Sequence, residues 1–196
     1  MSHSYHYKQR HLVLSLVVFV ISIALYYAQQ AGWIQHVGRG AVTNQPGLYH
    51  VTQFVDGDTI TVNMNGTNQK IRFIGVDTPE THKPNTPVQC YGPAAAAYTK
   101  QRIGNQSIRL QSDSLTTNYD RYGRLLRYVY LPDGTNLNRD LILHGYGFYY
   151  PYFPFTKSSE FAATQKTAQS SHAGLWGNCK PTPTDAGGYV SNVQGS

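Results

Sequence analysis

Acidic residues are scarce in this chain: ten among 196, against 16 lysines and arginines. Cysteine is scarcer still, at two. Two cysteines exclude a disulfide-dense scaffold, and neither has a cysteine or histidine partner at ligand spacing, which argues against a thiolate-held metal. No internal repeat is visible, so solenoid and propeller arrays are excluded.

What is present is unevenly placed. Four of the ten acids, Asp56, Asp58, Asp77 and Glu80, fall within 25 residues. The remaining composition, with 16 Tyr, 18 Gly and 10 Pro, indicates short strands and many turns. A polar start and a Gly/Pro-rich end leave one domain of roughly 130–140 residues, enough to bury a core. The formal charge of +6 suits an anionic partner such as nucleic acid, and serves solubility equally well.

The N-terminus reads as an export element. Residues 1–11 carry Lys8 and Arg10 and no acid; Leu12 to Ala28 then runs 17 residues without a charge. As a helix that run spans about 26 Å, slightly short of a roughly 30 Å hydrocarbon core, and Trp33 and Ile34 can extend or anchor it. The flanking cations predict the N-terminus inside and residues 40–196 outside. Cleavage as a signal peptide is the alternative, but cuts after Ala28 or Ala31 place Tyr26 or Gln29 at the −3 position, where a small residue is preferred. The expected organisation is therefore a basic segment at 1–11, a single-pass anchor at 12–31, a linker at 32–46, a folded domain at 47–179 and a disordered Pro/Thr/Gly/Ser tail at 180–196. The expected location is the cell membrane with the domain outside, or secretion after cleavage. In an oxidising exterior the default for Cys90 and Cys179 is a disulfide; in a host without one, two free thiols.

Strand signals lie at about 48–55, 58–65 and 69–76, with Asn65-Gly66 as a hairpin turn between the second and third. Gly92-Pro93 opens a helix that Gly104 stops. Strands are expected at 107–112 and 124–131, and helices at 136–144 and 157–171. This order suits an α+β, mainly β fold: a small five-stranded barrel with about three helices beside it.

Chemistry concentrates in three strings. Asp58 shares parity with Ile60 and Val62, so its carboxylate points to an apolar side, a position tolerated only by a paired or metal-bound charge. Asp56 precedes Gly57 and reads as a turn former. Pro79 forces Thr78 into an extended geometry that can turn its carbonyl toward a cation. Asp58, Asp77 and that carbonyl then make a partial oxygen shell for Ca²⁺. Glu80 is placed to orient or deprotonate a water. Arg72 shares parity with Ile74 and Val76 and is either a buried ion-pair partner or a phosphate grip; Arg124 follows the turn Tyr122-Gly123 and is either solvated or a second grip.

Taken together, Asp56-Gly57-Asp58-Thr59, Arg72, Val76-Asp77-Thr78-Pro79-Glu80, Tyr91-Gly92-Pro93-Ala94-Ala95, Asp120-x-Tyr122-Gly123-Arg124 and Gly174-Leu175-Trp176 resemble the thermonuclease family, also called staphylococcal nuclease homologues. The resemblance runs from about Gly47 to Trp176. It implies an OB-fold barrel and Ca²⁺-dependent endonucleolytic hydrolysis of DNA and RNA that leaves 3′-phosphate ends. By position it assigns Asp58, Asp77 and Thr78 to Ca²⁺, Glu80 to the water, and Arg72 and Arg124 to the phosphate. One stretch departs from the family pattern: Pro151 and Phe153 fall where the family uses tyrosines beside the nucleotide, with Tyr150 and Tyr152 one residue away. Tyr122, Tyr150 and Tyr152 are the candidate substrate contacts, with a core role for the aromatic run as the alternative. A monomer is expected, with nucleic acid as substrate and the membrane as partner of the N-terminal helix. The rival reading is a nucleic-acid-binding module that has lost catalysis.

Overall fold

Period-two patterning and a tight turn build the centre of the sheet. Strand β3 (Thr59–Met64) turns through Asn65 and Gly66, both at positive φ, into β4 (Thr67–Phe73), pairing Thr59 with Arg72 and Met64 with Thr67. In the computed structural model, residues 17, 19–23, 47–81, 86–185 and 187–195 are described. They divide into two units, Met1–Val42 and Thr43–Ser196. The predicted segments 1–11, 12–31 and 32–46 lie almost wholly outside the described residues. Those described in that stretch, Val17 and Phe19–Ile23, are helical and exposed. Among the described residues no helix is long and apolar enough to cross a membrane.

In the second unit, β1 (Leu48–Tyr49), β2 (Val51–Phe54), β3, β4, β6 (Ile108–Gln111) and β7 (Leu125–Tyr130) form one mixed sheet in the order β1-β6-β7-β4-β3-β2. Only β4 and β7 run parallel. The two edge strands, β1 and β2, are consecutive in the chain and separated by His50 alone. The sheet therefore curls until its edges meet at that residue, and the Asn63 N–H donates to the His50 carbonyl at 3.4 Å. This explains the difference from the expected five strands: one strand is bent at His50 and counts as two. Two short ribbons add to it, β5 (Val76–Asp77) with β8 (Phe148–Tyr149), and β9 (Thr182–Pro183) with β10 (Tyr189–Val190).

Helices α1 (Gly92–Ile103), α2 (Leu137–Leu143) and α3 (Ser158–Ser170) are the three expected from sequence. A fourth single turn, α4 (Leu175–Asn178), was not. Pro93 opens α1, and the Asn136 side chain caps α2 by accepting from the Arg139 N–H at 3.1 Å. The core between sheet and helices holds Ile60, Val62, Ile71, Phe73, Leu125, Leu137, Leu141 and Phe161, each at most 1 % exposed. Buried Asn138 ties α2 to the sheet, donating to the Ile74 carbonyl at 2.9 Å and accepting from the Val129 N–H at 2.9 Å. Cys90 and Cys179 are joined as a disulfide between the start of α1 and the end of α4.

The disordered tail expected at 180–196 is corrected by the structure. Its described residues form β9 and β10 and then run along residues 88–90. Gln194 N–H donates to the Val88 carbonyl (2.9 Å), Cys90 N–H to the Asn192 carbonyl (2.8 Å), and the Ser191 hydroxyl to the Cys90 carbonyl (2.9 Å). The Tyr189 ring packs on Trp176 and Phe148, at 5.0 and 6.0 Å between centroids. Pro/Thr/Gly/Ser composition carries no periodicity, and partners about a hundred residues away order this segment.

Candidate active site

The site forms where β3 begins, β4 ends and β5 follows. The chain enters β3 through a loop in which the Asp58 N–H donates to the Asp56 carboxylate at 3.1 Å, the turn role expected of Asp56. Gly57 lies between them because nothing larger fits: a Cβ there would meet Thr78 at 2.8 Å and Ala95 at 2.9 Å. Thr99 of α1 locks the same loop by donating its hydroxyl to the Gly57 carbonyl at 2.6 Å.

Asp58 is 4 % exposed and points inward with Ile60 and Val62, as its parity requires. Its Oδ2 accepts from the Thr78 N–H (2.8 Å) and the Thr78 hydroxyl (3.2 Å), and its Oδ1 accepts from the Thr59 hydroxyl (2.9 Å). Thr78 thus meets Asp58 through its amide and hydroxyl. Arg72 lies against both aspartates, with Nη2 2.6 Å from Asp77 and 3.3 Å from Asp58. Its Nη1 donates to the carbonyls of Phe73 (2.9 Å) and Val76 (2.6 Å), which fixes the guanidinium plane. Of the two roles the sequence left open for Arg72, the structure shows the buried ion-pair partner, its guanidinium set against two carboxylates.

Charge at this point is unbalanced. Burial alone would lower the Arg72 pKa, yet Asp58, Asp77 and Asp56 outweigh it and raise it. Burial first, and then the Asp58 charge, pushes the Asp56 carboxyl up to about 7, against the pull of Arg72. Asp58 and Asp77 both face the single Arg72 cation. The donors are hard oxygens, the carboxylates of Asp58 and Asp77 with the Thr78 carbonyl as the third candidate, which fit Ca²⁺ or Mg²⁺ rather than a soft metal. Among the described residues no group of three His, Cys, Asp or Glu side chains is set to hold a metal ion.

Asp77, Thr78 and Glu80 line one cleft. Glu80 is held by a residue the sequence reading did not single out. The Gln89 side-chain carbonyl accepts from the Glu80 N–H at 2.8 Å, and the Gln89 N–H donates to the Glu80 carbonyl at 2.9 Å. No pattern in the sequence flags a lone glutamine in that role.

Arg124 stands immediately before β7. Parallel pairing sets Arg72 opposite Leu126, so Arg124, two residues earlier, shares the Arg72 face. Its Nε lies 2.6 Å from Asp120 Oδ2, and its N–H donates to Asp120 Oδ1 at 2.9 Å across a turn closed by Gly123 at φ 76°. Its direct ion pair is thus with Asp120, not with the Asp58–Arg72–Asp77 group. Tyr122 is 68 % exposed, with the Arg121 and Arg124 guanidiniums 4.8 and 5.5 Å from its ring centre. Tyr150 lies beside Arg72, which is 5.8 Å from its ring centre, and packs on Tyr152 at 4.5 Å. Burial and then Asp77 raise the Tyr150 pKa, while Arg72 opposes them.

The chain is similar to proteins of a known family. The model of the family described as staphylococcal nuclease homologue matches residues 70–178, a span holding Arg72, Asp77, Thr78, Glu80 and Arg124. A thermonuclease of Staphylococcus hyicus is 38 % identical over 170 residues, covering 85 % of this chain and 96 % of that protein. A thermonuclease of Staphylococcus intermedius is 44 % identical over 131 residues, covering 65 % of this chain and 75 % of that protein. Endonuclease YncB of Bacillus subtilis is 36 % identical over 162 residues, covering 81 % and 72 %. With more than half its length matched, this chain belongs to the staphylococcal nuclease homologue family.

Proposed function

We propose that this nuclease-type hydrolase is a Ca²⁺-dependent endonuclease that cleaves DNA and RNA to leave 3′-phosphate ends, and that its N-terminal segment carries it to the outer face of the cell membrane. The observation that carries the reading is the Asp58–Arg72–Asp77 group, in which half-exposed Asp77 opens onto the cleft that Glu80 lines. Asp58, Asp77 and Thr78 are the residues that would hold Ca²⁺, which when bound supplies Lewis-acid polarisation of the phosphate.

The chain's own groups account for the remaining steps. Glu80, its backbone clasped by Gln89, orients an attacking water and takes its proton. The water oxygen bonds to phosphorus while the bond from phosphorus to the 5′-oxygen breaks, and the departing oxygen takes a proton from solvent. Arg72, its plane set by two backbone carbonyls, and Arg124, on the same face, stabilise the charge that grows on the non-bridging oxygens. Tyr122, Tyr150 and Tyr152 flank the site as contacts for the strand.

The test is cleavage of single-stranded DNA by the purified full chain with Ca²⁺, with Mg²⁺ and with a calcium chelator, alongside Glu80→Gln. The expected result is Ca²⁺-specific cleavage, 3′-phosphate products, and a loss of at least about 100-fold in kcat for the variant. A folded protein that binds DNA and cleaves none under any of these conditions would mark a binding module instead.

A further inference from the structure

Residues 191–194 lie beyond the span matched by the family model and run antiparallel along residues 88–90. The Cys90 N–H donates to the Asn192 carbonyl at 2.8 Å and the Gln194 N–H to the Val88 carbonyl at 2.9 Å, which sets Gln89 opposite Val193. In that pattern the two neighbours of Gln89 bond to the C-terminal segment, and the N–H of Gln89 itself turns to the other edge. There it meets the Glu80 carbonyl at 2.9 Å, while the Gln89 side chain accepts from the Glu80 N–H at 2.8 Å. We infer that residues 191–194 are a positioning strap for Glu80 that acts through Gln89, with Ser191 and Gln194 as the residues that fasten it. The inference rests on the nuclease reading above, which gives Glu80 the attacking water.

Residues 89–92 are a turn that needs fastening. The Gly92 N–H donates to the Gln89 carbonyl at 3.0 Å and closes a turn with Tyr91 at φ 71°. A tyrosine keeps that left-handed conformation only where its surroundings impose it. The turn also presses on the backbone of Pro79 and Glu80: a Cβ at Gly92 would meet the Glu80 carbonyl oxygen at 2.7 Å and the Pro79 carbonyl oxygen at 3.0 Å. A displaced turn therefore carries Glu80 with it, and shifts its carboxylate against the Asp77 that lines the same cleft.

The strap has anchors of its own. The Ser191 hydroxyl, on a residue 5 % exposed, donates to the Cys90 carbonyl at 2.9 Å. The Asn192 side chain accepts from the Lys180 N–H at 2.8 Å, which ties the strap to the chain just before the β9–β10 ribbon. Tyr189 packs on Trp176 and Phe148 and fixes where the strap begins. Ser191 and Gln194 are not among the residues that line the cleft, so loosening the strap changes how Glu80 is held and not how substrate is gripped.

The experiment varies the strap in the full chain and reads kcat and KM on single-stranded DNA, with hydrogen exchange at the Glu80 amide as a readout that needs no activity. Gln194→Pro removes the N–H that bonds to Val88, Gln194→Ala keeps it, and Ser191→Ala removes the bond to Cys90. Gln194→Pro with Ser191→Ala is expected to lower kcat by about 5- to 30-fold, the scale of a sub-ångström displacement, with KM within about twofold. Exchange at Glu80 should speed by at least about tenfold. Gln194→Ala should leave all three unchanged. A merely structural role would not depend on Gln89: in a Gln89→Ala background the same pair of changes should lower kcat by less than about threefold further, since the side-chain link to Glu80 is already gone. If the proline variant does not fold, Ser191→Ala alone decides, with an expected kcat loss of about 2- to 5-fold and faster Glu80 exchange. Unchanged kcat and exchange in a folded variant, a change confined to KM, or full additivity with Gln89→Ala overturns the strap. Faster Glu80 exchange in the variant of a chain whose wild type cuts no DNA would keep the strap and overturn the nuclease reading.

Discussion

Gln89 and Glu80 clasp each other's backbone: the Gln89 side chain accepts from the Glu80 N–H at 2.8 Å and its own N–H donates to the Glu80 carbonyl at 2.9 Å. Gln89 also pairs with Val193 of the C-terminal segment, and its neighbour Cys90 is bonded to Cys179. The residue proposed to handle the water is therefore steadied by the far end of the chain.

Gln89→Ala removes the acceptor and leaves the Glu80 N–H without that partner. The expected outcome is a fall in kcat of about 10- to 100-fold, the scale of a sub-ångström to ångström misplacement of a catalytic group. KM should move by little, because Gln89 does not grip phosphate. Steady-state kinetics on single-stranded DNA separate the two, and a pure KM effect would contradict the positioning role.

Arg72→Lys tests the fork. An ammonium keeps the charge but cannot hold two carbonyls and two carboxylates in one plane. A loss of about 10²- to 10³-fold in kcat is expected from a missing transition-state donor. Arg72→Ala adds a structural cost of about 3–5 kcal/mol, since Asp58 is then buried without its cation. Urea denaturation of both variants beside the kinetics distinguishes the two effects: lysine should retain much more stability than alanine.

How much of this was visible beforehand depends on whether the signal was local. Asp58 was legible because a strand alternates, and a carboxylate in register with Ile60 and Val62 has to be explained. The Asn65-Gly66 hairpin was legible because its turn needs two positive φ values. The extra strand was not, because the bend at His50 follows from closing the sheet. The role of Gln89 and the folded tail depend on contacts between distant segments. A tail of Pro, Thr and Gly carries no pattern of its own and is ordered by contacts with Trp176, Phe148, Tyr152 and residues 88–90.

Asp113 gives a pH prediction away from the site. Burial alone would raise its pKa, but hydrogen bonds from the Thr156 hydroxyl and N–H, the Leu115 N–H and the Tyr128 hydroxyl outweigh it and hold the group below the usual carboxylate range. A depressed folded-state pKa means that the unfolded chain binds the proton first. The stabilisation is therefore complete above the ordinary aspartate pKa of about 3.9 and is lost as pH falls through the lower folded value. Asp113→Asn should cost about 2–3 kcal/mol at neutral pH, the price of unpaired buried donors, and should flatten the stability curve below about pH 4. Urea titrations of both proteins across the acid range measure both effects; an unchanged slope would show that other carboxylates govern acid unfolding.

The Cys90–Cys179 bond should govern stability more than chemistry. It closes a sequence separation of 89 residues, for which loop entropy allows at most about 4–5 kcal/mol and typical disulfides contribute about 2–4 kcal/mol. Its removal leaves the Cys90 N–H bond to Asn192, the Ser191 bond to Cys90 and the packing of Tyr189, so the C-terminal segment keeps most of its anchorage in the folded state. The Cys90→Ser/Cys179→Ser variant is accordingly expected to lose about 2–4 kcal/mol in urea denaturation while kcat at low temperature stays within about threefold of the wild type. A large kcat loss in a protein that remains folded would instead show that the bond itself holds Gln89, and through it Glu80, in working position.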